Sequence, residues 1–200
     1  MKNKPIIIVA GEPRSIFFEI LFKSLKSAKF KSPIILIASL KLLETQQKKF
    51  KFKRKIKIIN YHKLNATKLN NNYINLINIS LKKNKEHIYI KDCFEISFKI
   101  LKSKLTNKFI NGPINKSKFL NKKYLGITEY ISNKFKSDKS AMLIYNKDLS
   151  VCPVTTHLPI KLVAQKINQS LIKEKALLID KFYIKNFHFK PKIAVTGLNP

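Results

Sequence analysis

The chain has 200 residues, 44% of them hydrophobic, which suits one large domain or two small ones with a buried core. Its formal net charge is +30, yet of 41 basic residues only Arg14 and Arg54 are arginine. The forked guanidinium groups that read phosphate and guanine are therefore scarce, which argues against a dedicated nucleic-acid face. No apolar run approaches the roughly 20 residues of a membrane helix, no cleavage site follows the first apolar stretch, and Cys93 and Cys152 lie far apart outside any CxxC pair. These features fit a reduced, cytoplasmic chain with two plain thiols.

The lysines are spread over predicted helices, strand ends and loops. The longest cluster, residues 48–57, alternates with Phe50, Phe52 and Ile56 as a half-exposed strand does. Abundant Ile, Asn and Lys with scarce Gly and Arg indicate drift toward adenine- and thymine-rich codons and a solvated basic surface.

In chain order, residues 5–10 form a β-branched run and predict a buried strand, with Gly11-Glu12-Pro13 as its exit loop. Residues 15–29 read as a helix with Ile16, Phe17, Ile20, Leu21 and Leu25 on one side. A second buried strand over 33–38 precedes a helix over 40–49. Residues 53–60 alternate as a strand, 60–72 are an asparagine-rich loop, and 73–81 are a strand. A helix is predicted over 92–105 and a short strand over 108–111, leading into Gly112-Pro113. Helical segments flank Gly126 within 115–136. Strands over 142–145 and 149–154 are joined by a turn at 146–148. One long helix begins at Pro159 and carries Ile160, Val163, Ile167, Leu171 and Leu177. Residues 192–195 predict a last strand. Strands alternating with helices give an α/β class with a mainly parallel sheet, whose ligands bind beyond the carboxyl ends of the strands.

An average chain of this length carries about 14 glycines; this one has 4. Gly11, Gly112, Gly126 and Gly197 each stand at a predicted strand end or open a loop, where the backbone needs φ > 0 or close approach. His157 follows a predicted strand in Val-Thr-Thr-His-Leu-Pro, and an imidazole there beside two hydroxyls can ligate a divalent metal. His62, His87 and His188 share no ligand spacing with it. HExxH, CxxC, P-loop, GxSxG and GxGxxG motifs are all missing from the sequence.

The ordered series Gly-Glu-Pro (11–13), Asn-Gly-Pro-Ile-Asn-Lys (111–116), Gly-Ile-Thr-Glu-Tyr (126–130), Thr-Thr-His-Leu-Pro (155–159) and Gly-Leu-Asn-Pro (197–200) resembles the 4-hydroxythreonine-4-phosphate dehydrogenase family. The resemblance implies an isocitrate/isopropylmalate dehydrogenase-like α/β/α fold. Residues 1–125 would form a first domain, and 126–200 the start of a second one for dimerisation and the metal site. It also implies a homodimer with a shared active site, NAD or NADP, and a divalent metal (Zn, Mg or Co) held by three histidines drawn from both subunits. The reaction implied is oxidation of 4-phosphooxy-L-threonine followed by decarboxylation to 3-amino-2-oxopropyl phosphate, within pyridoxal 5'-phosphate synthesis.

By the same resemblance His157 matches the first metal histidine, and Thr128 matches a threonine that contacts substrate. Ile127 stands where the family carries a second substrate-contacting histidine, and Ser15 stands in place of a glycine. Lys116 closes the Gly-Pro loop, where it would face an anionic substrate. In the family the next metal histidine follows Gly-Leu-Asn-Pro, so the 200-residue chain is expected to be truncated and inactive alone. No catalytic or nicotinamide-binding residue is assigned. The partners expected are a phosphorylated small molecule and a second subunit, with neither nucleic acid nor membrane. Two alternatives stand beside this reading: a dehydrogenase of threonate or erythronate 4-phosphate, and a basic nucleic-acid-binding protein marked by steep salt dependence on DNA.

Overall fold

The computed structural model describes residues 3–120, 123–137 and 139–197. The chain divides into two compact units, Met1–Asn121 and Lys122–Pro200.

The first unit is built on five parallel strands: β1 (Ile6–Val9), β2 (Ile34–Ala38), β3 (Ile56–Ile58), β4 (Ile74–Asn78) and β5 (Lys108–Asn111). Their order across the sheet is β3-β4-β2-β1-β5. Between them run α1 (Phe17–Ser27), α2 (Leu40–Lys49) and α3 (Glu86–Lys102), with the short α4 (Lys116–Leu120) after β5. Side chains alternate across a pleated strand, and that period sorts the core. Ile8, Ala10, Leu36, Ala38, Ile74 and Leu76 join Phe17, Phe18, Leu21, Phe22 and Leu25 of α1 and Leu43 of α2 in one cluster. Ile7, Val9, Ile35 and Ile37 are buried on the opposite face. There Phe94 and Phe98 of α3 contact Phe109 of β5, which pairs with Ile7. Helices thus cover both faces, as a buried parallel sheet requires, and the α/β class expected from the sequence is the one observed.

Several expectations need correction. Helix α3 starts at Glu86, not at 92, because Tyr89, Ile90, Cys93, Phe94, Ser97 and Phe98 form one continuous buried stripe. Asp92 therefore lies within the helix. Part of the predicted 60–72 loop is a 3-10 helix, Tyr61–Ala66, where the Asn60 side chain accepts from the His62 N–H at 2.9 Å. The asparagines that follow brace β2: Asn71 accepts from Ile34 N and donates to Phe30 O and Ser32 O.

The second unit carries α5 (Ile127–Lys134), α6 (Ile160–Lys166) and α7 (Gln169–Phe187). The hairpin expected over 142–154 is reduced to one antiparallel bridge, Ile144 with Val151. Pro153 supplies no N–H to carry the ladder on. The single helix expected from Pro159 is two helices. Asn168 separates them, its side chain accepting from Leu171 N at 2.9 Å as an N-cap. Residues 192–195 form no strand, since no described segment pairs with them. His157 therefore follows an isolated bridge instead of the carboxyl end of a parallel strand.

Candidate functional site

Two of the scarce glycines lock the exits of β1 and β5 together. Gly11 takes φ +75°, and a Cβ there would lie 2.3 Å from Pro113 O. A Cβ at Gly112 would lie 2.2 Å from Ala10 O. Only glycine permits such close backbone approach. Gly112 N donates to Val9 O at 2.7 Å, and Glu12 N donates to Pro113 O at 2.8 Å. The Glu12 carboxylate then accepts from Asn115 N at 3.1 Å. Beside these loops a cleft of about 430 Å³ is lined by Glu12, Arg14, Glu86, His87, Lys118 and Phe119. Lys116 is the first residue of α4 and is exposed.

The second unit brings the other motif residues together. Gly126 caps α5, placing Ile127 and Thr128 in its first turn, both half-buried. His157 lies against this cap. A methyl group added at Gly126 would stand 3.1 Å from His157 Nε2 and 2.7 Å from Glu129 Oε2. His157 is exposed and has φ +55°, a backbone state that a non-glycine residue holds only when its surroundings enforce it. Thr156 next to it donates to Glu129 Oε1 at 3.4 Å. Glu129 Oε2 is shielded from solvent and has no hydrogen-bond partner.

The structure thus sets His157 beside the loop of Gly126, Ile127 and Thr128, while Lys116 belongs to the first unit. Leu198, Asn199 and Pro200 of the last motif lie outside the described residues. Glu129 was not singled out from the sequence. Its signal was present, since it is one of only 11 acids in a chain of charge +30 and lies inside a quoted motif.

Imidazole nitrogen and carboxylate oxygen are donors that zinc accepts together. Among the described residues, no group of three His, Cys, Asp or Glu side chains surrounds one point. His157 could supply one donor to such a site, with the Glu129 carboxylate beside it, and does not make a whole one. The sequence has no Gly-rich dinucleotide loop, and no side chain here is assigned to a nicotinamide cofactor. Neither cysteine is poised as a nucleophile. Burial pushes the Cys93 thiol up to about 12 and raises that of Cys152 as well.

The family model described as pyridoxal phosphate biosynthetic protein PdxA matches residues 29–200. The chain belongs to the PdxA family. A 4-hydroxythreonine-4-phosphate dehydrogenase of Sulfurihydrogenibium sp. is 30% identical over 208 residues, covering 98% of this chain and 63% of that protein. One from Hydrogenobaculum sp. is 39% identical over 100 residues, covering 49% of this chain and 32% of that protein. The chain therefore spans less than two thirds of the length of these PdxA relatives. The crystal structure of the Klebsiella pneumoniae enzyme of the same name superposes with a TM-score of 0.82 at 22% identity, over 99% of this chain and 65% of that one. That likeness is one of fold, and it agrees with the isocitrate dehydrogenase-like architecture expected of PdxA proteins.

Proposed function

We propose that this chain supplies part of the active site of a nicotinamide-dependent 4-hydroxythreonine-4-phosphate dehydrogenase. The substrate would be 4-phosphooxy-L-threonine, oxidised at its hydroxyl by NAD or NADP and then decarboxylated. The observation that carries this reading is the open imidazole of His157, held at positive φ against the Gly126 turn. Family membership supports the same chemistry.

In this reading His157 offers a ring nitrogen lone pair to a divalent cation, with the Glu129 carboxylate by the same Gly126 cap. Such a cation would supply Lewis-acid polarisation of the reacting hydroxyl. Thr128 offers its hydroxyl to the substrate from the first turn of α5. Ile127 beside it can neither donate nor accept, so this chain holds its substrate with one polar contact fewer than its histidine-bearing relatives. Lys116 offers an exposed ammonium to an anionic substrate. The working assembly is a homodimer, because one imidazole binds a catalytic ion poorly and family sites draw three.

A coupled assay of NADH formation on 4-phosphooxy-L-threonine tests the proposal. The purified 200-residue chain alone is expected to show no turnover, because it spans under two thirds of the length of its PdxA relatives. Addition of a PdxA relative's remaining segment should restore turnover, and His157→Ala should abolish it. Restored turnover that His157→Ala leaves unchanged would refute the role of the imidazole. Salt-dependent retention on DNA without any turnover would favour the nucleic-acid alternative.

A further inference from the structure

We propose that Glu129 is a positioning residue for His157: its free oxygen accepts the imidazole N–H and so fixes which ring nitrogen is left to face a cation. The inference rests on the reading of His157 as a cation ligand, but it concerns a carboxylate to which neither the sequence motifs nor the family match gives a role.

Three observations carry it. The first is the lone oxygen. Glu129 Oε2 is cut off from solvent and meets no donor in the described structure, a state proteins seldom leave unanswered. This happens in a chain with 41 basic residues against 11 acids, where a lysine partner would be easy to provide. The second is the anchor. Thr156 Oγ1 donates to the other oxygen, Oε1, and holds the carboxylate from the residue directly before His157. The third is the gap. The point where a side chain at Gly126 would begin is 2.7 Å from Glu129 Oε2 and 3.1 Å from His157 Nε2. Both groups border the space that a side chain at residue 126 would fill.

A histidine that ligates a metal through one nitrogen commonly donates its other ring N–H to a carboxylate, which sets the tautomer and raises the basicity of the ligating atom. The Glu129–His157 pair has the chemistry for that arrangement.

Gly126 provides an independent handle. Its φ lies in the extended region, so an alanine there is unstrained. The added methyl meets the tip of the flexible Glu129 side chain, not backbone. Gly126→Ala should therefore move the carboxylate and spare the fold.

The test is nitrogen NMR of the full 200-residue chain labelled at histidine, together with zinc titration by calorimetry. In the metal-free wild type, His157 is expected to populate one neutral tautomer predominantly. Glu129→Ala and Gly126→Ala should both even out the two tautomers, while Glu129→Gln, which keeps an acceptor oxygen, should retain the preference. With the remaining segment of a PdxA relative added, zinc affinity should fall roughly tenfold to a hundredfold in Glu129→Ala, and His157→Ala should abolish it. Unchanged tautomer populations in Glu129→Ala and Gly126→Ala would overturn the proposal. Zinc binding that survives His157→Ala would instead overturn the ligand reading of His157, leaving the tautomer result to decide the pairing.

Discussion

In the first unit, five parallel strands lie between α1 and α2 on one face and α3 on the other, and every apolar side chain of the central strands β1, β2 and β4 is buried except the half-buried Ile6 and Ile34. In the second unit, Tyr130 is the single buried apolar side chain among the described residues, and α7 buries none over its 19 residues. Local devices hold the second unit instead. These are the Asn168 cap, the bridge of Ile144 with Val151, and aromatic contacts of Tyr145 and Tyr183 with Phe187. The two regions have similar apolar content, so the difference lies in pairing. A strand or amphipathic helix stabilises a fold only in proportion to the surface that covers it. The first unit is a core with loops attached, and the second is a set of locally braced segments.

The sharpest way to break this contrast is in the first unit. Phe94 is fully buried and packs on Phe98, Phe109 and Phe119. Phe94→Ala is expected to lower unfolding stability by about 3–5 kcal/mol in urea titration. A loss below about 1 kcal/mol would mean that the sheet is not the main source of stability.

Alkaline pH acts on the same core. The Cys93 thiol moves from an ordinary 9.0 up to about 12, chiefly by burial. Tyr89 beside it is raised for the same reason. A raised acid contributes stability that is whole below the unfolded value. Above about pH 9 the unfolded chain sheds its proton while the folded chain keeps it, so stability declines toward pH 12. The slope of urea midpoint against pH above 9 should be shallower in Cys93→Ala than in the wild type. Equal slopes would contradict the burial of the thiol.

The smallest effect belongs to the second unit. Leu177 on α7 is 48% exposed. Leu177→Ala is expected to change stability by less than about 0.5 kcal/mol. A loss comparable to that of Phe94→Ala would show the second unit to be as deeply packed as the first.

The same division separates what was legible in the sequence from what was not. The runs that became β1 and β2 announced themselves by β-branched residues and flanking breakers. Helix α2 lies where its pattern put it, opened by Ser39, whose side chain accepts from Leu42 N. Residues 142–154 and 192–195 also held short apolar runs that read as strands, yet a ladder requires a partner that local pattern does not encode. The long apolar stripe after Pro159 concealed Asn168, whose capping chemistry outweighed periodicity. At the site, Gly126, Thr128 and His157 could be read because each sits in a short motif. Glu129 could not. Its position matters through Thr156, 27 residues further on, and through the side chain that Gly126 lacks.

The mutual clasp of Gly11 and Gly112 has a bearing on how PdxA chains can be recombined. Each loop occupies the volume a Cβ on the other would need, and each donates a backbone hydrogen bond across the junction. Residues 11–13 and 111–115 are therefore one graft, separated by a hundred positions of sequence. A chimera whose crossover falls between them inherits two halves shaped for different partners, whereas one that transfers both segments together keeps the strand exits in register.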